Sequence, residues 1–321
     1  MSLALPVRWA GLLALAALVG GLSVTVTVVP PGVTTLRRRL TAWNRTSVAL
    51  LLVTSAAELL VRARTMAGGD LGSALRAAPV VLWRTHFGTV WTVRAGALMV
   101  LLALVGRKGC APQVAALAVA LGVALTTSLV GHAADHGDLS LPALIDWLHV
   151  AAASTWTGGL FCLAALVLPE ASQWPSEQLA ALLRRFSRLA GSSLGVVVAS
   201  GISNACIQVG SLHALASTAY GRILLAKVAL VTAMACLGAA SRFAILPGLD
   251  VPSGSRPAAA RLARYVACEV ALAVVVFGCT AVLTESEPPR HAEHAQADGC
   301  GRARWDVVPP AGFCIPGHLF L

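Results

Sequence analysis

The sequence predicts an all-α protein, a polytopic transmembrane helical bundle of about eight spans. Three observations carry this. Of 321 residues, 57% are hydrophobic and 12% are charged, about half the charged share of an ordinary soluble domain. Mean hydropathy is +0.77. Apolar runs of about 20 residues, the length that crosses a bilayer, recur along the chain, and Lys and Arg gather in alternate connections between them.

The first run, 9–29, follows Arg8 and lacks a convincing small-residue cleavage site, so it reads as a span rather than a removable leader. The second, 46–66, is preceded by Arg37, Arg38, Arg39 and Arg45. The third and fourth, 89–106 and 112–131, flank Arg107 and Lys108. The fifth and sixth, 142–168 and 187–208, flank Arg184, Arg185 and Arg188. The seventh and eighth, 219–241 and 263–284, flank Arg242, Arg256, Arg261 and Arg264. Each run is helical because hydrocarbon offers no partner to an unpaired backbone group. The basic connections are expected in the cytoplasm. The connections 132–141 and 209–218 contain no Lys or Arg, so they and both termini are expected outside. The connection 67–88 breaks the pattern mildly with Arg76 and Arg84; its "LGSALRAA" stretch has the spacing of an amphipathic helix lying on the outer surface. From Glu285 onward Pro, Gly, His and charge replace the apolar pattern, which reads as a flexible extension. The chain therefore divides into 1–44, a first span with its basic loop; 45–285, the main membrane domain; and 286–321, an external tail.

Composition also excludes function classes. The net charge of +10 resides in short loops, not in a basic domain, so nucleic acid is not a partner; the lipid bilayer is. Eight cysteines stand singly with no CxxC pair, which argues against a zinc ribbon or redox dithiol. No GxxxxGK[ST] or DKTG stretch supplies an ATP motor, and no HExxH or Ser/His/Asp constellation suggests an enzyme.

Ionisable groups inside spans are the informative residues, because their burial is costly. They are Glu58, Arg94, His149, Lys227 and Glu269, with Asn204 as a polar companion. All but Glu269 fall in the outer half of their spans, and His86, His132 and His136 lie at the same rim. Imidazole suits copper, zinc, iron and nickel, with carboxylates completing or orienting such a site. Within "GHAADHGDLSLPALIDWLHVAAASTWTGGLF", residues 131–161, His132 and His149 form the core of a candidate metal site. His136, His86 and Glu58 are additional contacts. Asp146, three residues before His149, shares its face and can orient the ring. The bland alternative for His149 is an interhelical hydrogen bond. Trp156, Gly158 and Gly159 continue the segment as a packing motif, small residues admitting a neighbouring helix while the indole fills space. Cys162, Cys236 and Cys268, near Glu269 in the inner half, are soft ligands or small packing residues. The tail adds His291, His294, Cys300, Cys314 and His318, which could capture metal or, for the cysteines, form a disulfide; the favoured reading is a dispensable tail without a function.

These residues carry a resemblance. "GHAA" followed by "DWLHVAAASTWTGGL" is similar to the central signature of the copper resistance protein D (CopD/PcoD) family. "THFGTVWTVRAGAL" upstream and "RFSRLAGSSLGVVVASGISNACIQVGSL" with "TAYGRILLAKVALVTAMACLGAASRF" downstream resemble its other segments. The resemblance covers roughly residues 45–285. It implies a bacterial inner-membrane protein of copper homeostasis and resistance, moving copper ion from periplasm to cytoplasm beside a CopC-like periplasmic copper-binding protein. His132 and His149 match the signature histidines, and Trp156, Gly158 and Gly159 match its W-x-G-G. Two other readings are a non-transporting membrane partner of a periplasmic copper chaperone and, from the histidines at the outer rim, a bis-His haem electron-transfer protein.

Overall fold

A computed structural model describes residues 3–130, 140–209, 212–249 and 255–286. The chain forms α1 (Ala4–Ser23), continued by a π-helical turn Val24–Val28, then α2 (Thr34–Ala67), α3 (Leu71–Arg84), α4 (His86–Leu104) and α5 (Cys110–Ser128). The second half begins with α6 (Leu141–Cys162), continued by a π turn Leu163–Val167 and a 3₁₀ turn Leu168–Gln173. After it come α7 (Ser176–Val209), α8 (Leu212–Ser217), α9 (Ala219–Ala240), a further π turn Ser241–Ile245 with a 3₁₀ turn Leu246–Leu249, and α10 (Ser255–Thr284). No strand occurs among the described residues. All these helices except α3 and α8 are long and apolar enough to cross a membrane, eight in total, so the all-α bundle and its span number agree with the sequence reading. Helices α2, α7 and α10 begin well before their apolar runs, at Thr34, Ser176 and Ser255. Arginine is a good helix former, so the basic turns continue the spans instead of separating them.

Helix α1 lies at the centre. Leu15, Ala16, Leu18, Val19 and Leu22 are at most 3% exposed, burial all round that matches a helix with no polar face. It crosses α6 with almost no side chain between them: a Cβ on Gly158 would overlap the Ala16 carbonyl, and one on Gly20 would overlap the Gly158–Gly159 backbone. This is the small-residue packing that drives helix association in lipid. Trp156, buried, fills the space beside that crossing with Leu160, Leu163 and Phe186.

Polar groups inside the spans are satisfied locally or across helices. Thr25, Ser47, Thr157 and Ser200 donate to carbonyls four residues back. Four indoles tie helices together, Trp9 to the Val274 carbonyl (3.1 Å), Trp43 to Ala17 (3.0 Å), Trp91 to Ser55 (2.8 Å) and Trp147 to Leu121 (2.9 Å).

The two ends of the bundle differ. At one, arginines bind backbone carbonyls of neighbouring helices, those of Val29, Val105 and Leu166 lying at helix ends, where helix geometry leaves carbonyls unpaired. Arg37 donates to Val29 (2.6 Å), Arg45 to Val105 (3.3 Å), Arg39 to Leu166 (3.3 Å) and Arg242 to Ser187 (3.2 Å); Arg39 also pairs with Glu170. We call this the basic end. At the opposite end the helices start on side-chain caps. Ser140 accepts from Ala143 N–H, Thr85 from Gly88 and Thr218 from Gly221. Asp70 accepts from Ser73 N–H, which holds its carboxyl below the ordinary pKa. The stretch expected as a surface helix is α3. It packs Ala74 and Val81 against α2 and leaves Leu71, Leu75, Val80 and Trp83 exposed.

The second half repeats the first. "THFG" and "TAYG" each cap a long helix whose glycine packs against the preceding short helix. A Cβ on Gly88 would overlap the Val81 and Leu82 carbonyls, and one on Gly221 those of Ala214 and Leu215. Nine residues beyond each capping Thr stands a cation, Arg94 or Lys227. Helices α2 and α7 are each 34 residues long, and α1 and α6 each run into a π turn. Helices α1–α5 and α6–α10 thus follow one order of elements. With four spans apiece, the halves run in the same direction.

Candidate functional site

Each half holds one polar cluster towards the end opposite the basic one. In the first half Glu58 on α2 receives Arg8 of α1 on one oxygen (3.0 Å) and Arg94 of α4 on the other (2.8 Å). Arg94, buried, also donates to the hydroxyl (2.8 Å) and carbonyl (3.1 Å) of Thr126 on α5. Four helices are joined by one carboxylate and two guanidiniums, whose fork geometry lets each serve several acceptors.

The second cluster is built differently. On α6, Asp146 accepts from Asn204 Nδ2 of α7 at 3.2 Å. One turn on, His149 Nδ1 meets Ser200 Oγ at 3.1 Å. Ser200 has a single hydroxyl proton and donates it to the Val196 carbonyl at 2.5 Å, so it accepts from the histidine. The Val197 carbonyl is also within hydrogen-bond reach of the ring. With the ring proton on Nδ1, Nε2 keeps its lone pair, the ligating form of imidazole. The ring also lies against Gly201, where a Cβ would stand 3.3 Å from Cε1. Lys227 of α9 is within electrostatic reach of both Asp146 and His149, and Arg8 is within reach of Asp146. Arg8 therefore links the two clusters electrostatically. The sign pattern differs: Arg–Glu–Arg is closed by two ion pairs, whereas Asp146 accepts from a neutral donor and has Lys227 and Arg8 only within electrostatic reach.

The sequence-derived candidates fall unevenly on this frame. His149 and Asp146 stand on neighbouring turns, but the contact to the His149 ring comes from Ser200, and Asp146 is taken by Asn204. Glu58 has both oxygens on arginines and is available to a metal only if those pairs open. His86, exposed at the start of α4, has Nε2 3.2 Å from the Leu129 carbonyl, just before the 131–139 segment. His132 and His136, like the histidines and cysteines of the tail, lie outside the described residues. Trp156, Gly158 and Gly159 sit at the α1–α6 crossing, Gly159 against the Phe186 ring. Among the described residues no three His, Cys, Asp or Glu side chains converge as a metal cage. Cys162 is buried, while Cys236 and Cys268 are exposed on the helix surface. Sequence reasoning overlooked Ser200 and Arg8. The signal for Ser200 was its place four residues before Asn204, on the same face of α7.

Two family models match the chain: Copper resistance protein D over residues 180–283 and Copper resistance protein D-like, N-terminal domain, over residues 2–141. Copper resistance protein D of Pseudomonas syringae pv. tomato is 30% identical over 253 residues, covering 75% of this chain and 82% of that protein. The chain belongs to the copper resistance protein D family. Copper transport protein CutJ of Bacillus subtilis (strain 168) is 36% identical over 206 residues, 60% of this chain; the match spans only 37% of the Bacillus protein's length. No solved structure matches. The copper resistance protein D models divide the polar residues between them. The N-terminal one includes Arg8, Glu58 and Arg94, and the C-terminal one includes Ser200, Asn204, Lys227 and Glu269. Helix α6, with Asp146, His149 and the Trp156–Gly159 crossing, falls in the interval between the two matches.

Proposed function

We propose that this member of the copper resistance protein D family carries copper ions across the bacterial cytoplasmic membrane, from the periplasmic side inward. The basic end faces the cytoplasm, as the distribution of arginines favours. Both termini and the 131–139 segment then face outward, where a CopC-like periplasmic copper-binding protein can deliver the metal. The observation that carries this reading is His149, held by Ser200 with Nε2 available, in a family whose relatives are named for copper resistance and copper transport.

In this reading copper is the substrate. His149 Nε2 is the inner ligand, His132 its partner from the segment just before α6, and His136 and His86 complete the outward rim. Asp146 supplies negative potential one turn away and compensates Lys227. Glu58 belongs to the neighbouring cluster, and its first task is to hold two arginines. Protons compete with copper for the imidazole nitrogen, so binding weakens on acidification.

The test is equilibrium copper binding and copper flux in proteoliposomes. His149→Ala and His132→Ala are expected to abolish both, and Ser200→Ala to weaken binding by roughly 10–100-fold, the usual effect of removing an orienting partner. If both histidine variants fold normally and still import copper, His149 is an interhelical hydrogen bond and the reading fails.

A further inference from the structure

Nearer the basic end a second ionisable group stands apart from the clusters described above. Glu269 of α10 is 2% exposed, and its carboxyl meets no hydrogen-bond or ion-pair partner among the described residues. It lines a cavity of about 270 Å³ between α6, α7, α9 and α10. Its lining is mostly apolar, including Trp156, Leu160 and Phe186, and the lining residues Gly191, Ala239, Arg242 and Phe243 are exposed. Ser241 lines the same cavity, and its buried hydroxyl has no partner either. Two orphan polar groups facing one void are uncommon, since buried polar groups are almost always hydrogen-bonded. The corresponding helix of the first half, α5, carries no acidic residue, so the common architecture does not require the carboxyl.

The surroundings limit what could bind there. An unpaired carboxylate in an apolar site is costly, and a bound proton or cation removes that cost. A metal needs several ligands at once, and among the described residues Glu269 belongs to no cluster of metal-ligating side chains. The charged groups on the surrounding elements are few. From α9 and its π turn only Arg242 lines the cavity, and it donates to the Ser187 carbonyl. From α6 and α7 no ionisable side chain does. On the 3₁₀ turn before α7, Glu170 is taken by Arg39, and on α1 Arg8 is taken by Glu58. On α10 itself Arg261, Arg264 and Cys268 are exposed and Tyr265 is half-buried. One carboxyl, one hydroxyl and room for several waters fit a proton.

We propose that Glu269 is a proton-binding group in a cavity that extends to Arg242 of the basic end, exchanging its proton with the aqueous phase there. Ser241 is the hydroxyl available to pair with the carboxyl in either protonation state. Glu269 Oε2 would stand 3.6 Å from a Cβ on Gly238 of α9. Gly238 is 11 residues beyond Lys227, about 16 Å along the helix at 1.5 Å per residue. The proton site is therefore separate from the His149 cluster, and its existence does not depend on the copper reading.

A hydrophobic carbodiimide tests it on the purified full chain, because that reagent modifies protonated carboxyls in apolar sites. With dicyclohexylcarbodiimide, peptide mass spectrometry should find an adduct on Glu269 near neutral pH, falling at least about tenfold by about pH 10, well above the ordinary glutamate range. A charged, water-soluble carbodiimide should leave Glu269 unmodified, and Glu269→Gln should lose the adduct. Absence of a Glu269 adduct in protein whose denatured form reacts would overturn the proposal. So would an adduct yield that does not change between about pH 6 and about pH 10. Neither readout involves copper, so a failed copper reading leaves this result interpretable.

Discussion

Glu58→Gln separates a structural carboxylate from a copper ligand. Glu58 neutralises two guanidiniums, at 3.0 and 2.8 Å, and the side chains of Arg8, Glu58 and Arg94 are only 12%, 16% and 7% exposed. The substitution keeps the shape and removes the charge. Arg8 and Arg94 are already within electrostatic reach of one another, so they are left as two buried like charges. Breaking a buried pair from one side typically costs about 3–5 kcal/mol. At about 2 °C per kcal/mol for a long chain, the unfolding midpoint in detergent should fall by about 6–10 °C. Arg94→Gln should cost less, because Glu58 keeps Arg8. The double variant should be less destabilised than the sum of the singles by about 0.5–3 kcal/mol, the range for residues in one network. Thermal unfolding followed by circular dichroism reads all three variants. Copper affinity of Glu58→Gln, measured well below its midpoint, should stay within about threefold of the parent, a difference of less than about 0.7 kcal/mol. A midpoint within about 1 °C of the parent together with lost copper binding would refute this, making Glu58 a ligand and the ion pairs incidental.

Two further predictions concern architecture. Gly158→Val forces a branched side chain into the Ala16 carbonyl, and neither helix can yield without moving backbone; the cost should exceed the usual overpacking loss of about 1–3 kcal/mol and appear as lost folded protein on size exclusion, whereas Gly195→Ala, which faces open space, should be neutral. Topology reporters placed after Arg39 and after Arg185 should read cytoplasmic and one after Leu139 external; an external reading for either arginine connection would invert the direction assigned to the His149 cluster.

The sequence by itself determined the fold class and the spans. Hydrocarbon admits only helices with internal hydrogen bonds, so eight apolar runs necessarily read as eight helices, and the arginines between them mark one end. It also marked the residues worth attention, because Glu58, Arg94, His149, Lys227 and Glu269 are conspicuous wherever apolar residues surround them. It did not reveal their partners. Glu58 and Arg94 are 36 residues apart and His149 and Ser200 are 51 apart; no local period links such pairs. The repeat of "THFG" and "TAYG" was present in the letters, yet its meaning depended on each glycine packing under a short helix. Tertiary structure decided that one carboxylate closes a triad, that another takes an asparagine, and that a third lines a cavity. The physical reason is that helix periodicity fixes which face a side chain occupies, while the packing of separate helices fixes what that face meets. In lipid that packing turns on close contacts such as Gly20 with Gly158, which hydropathy does not register.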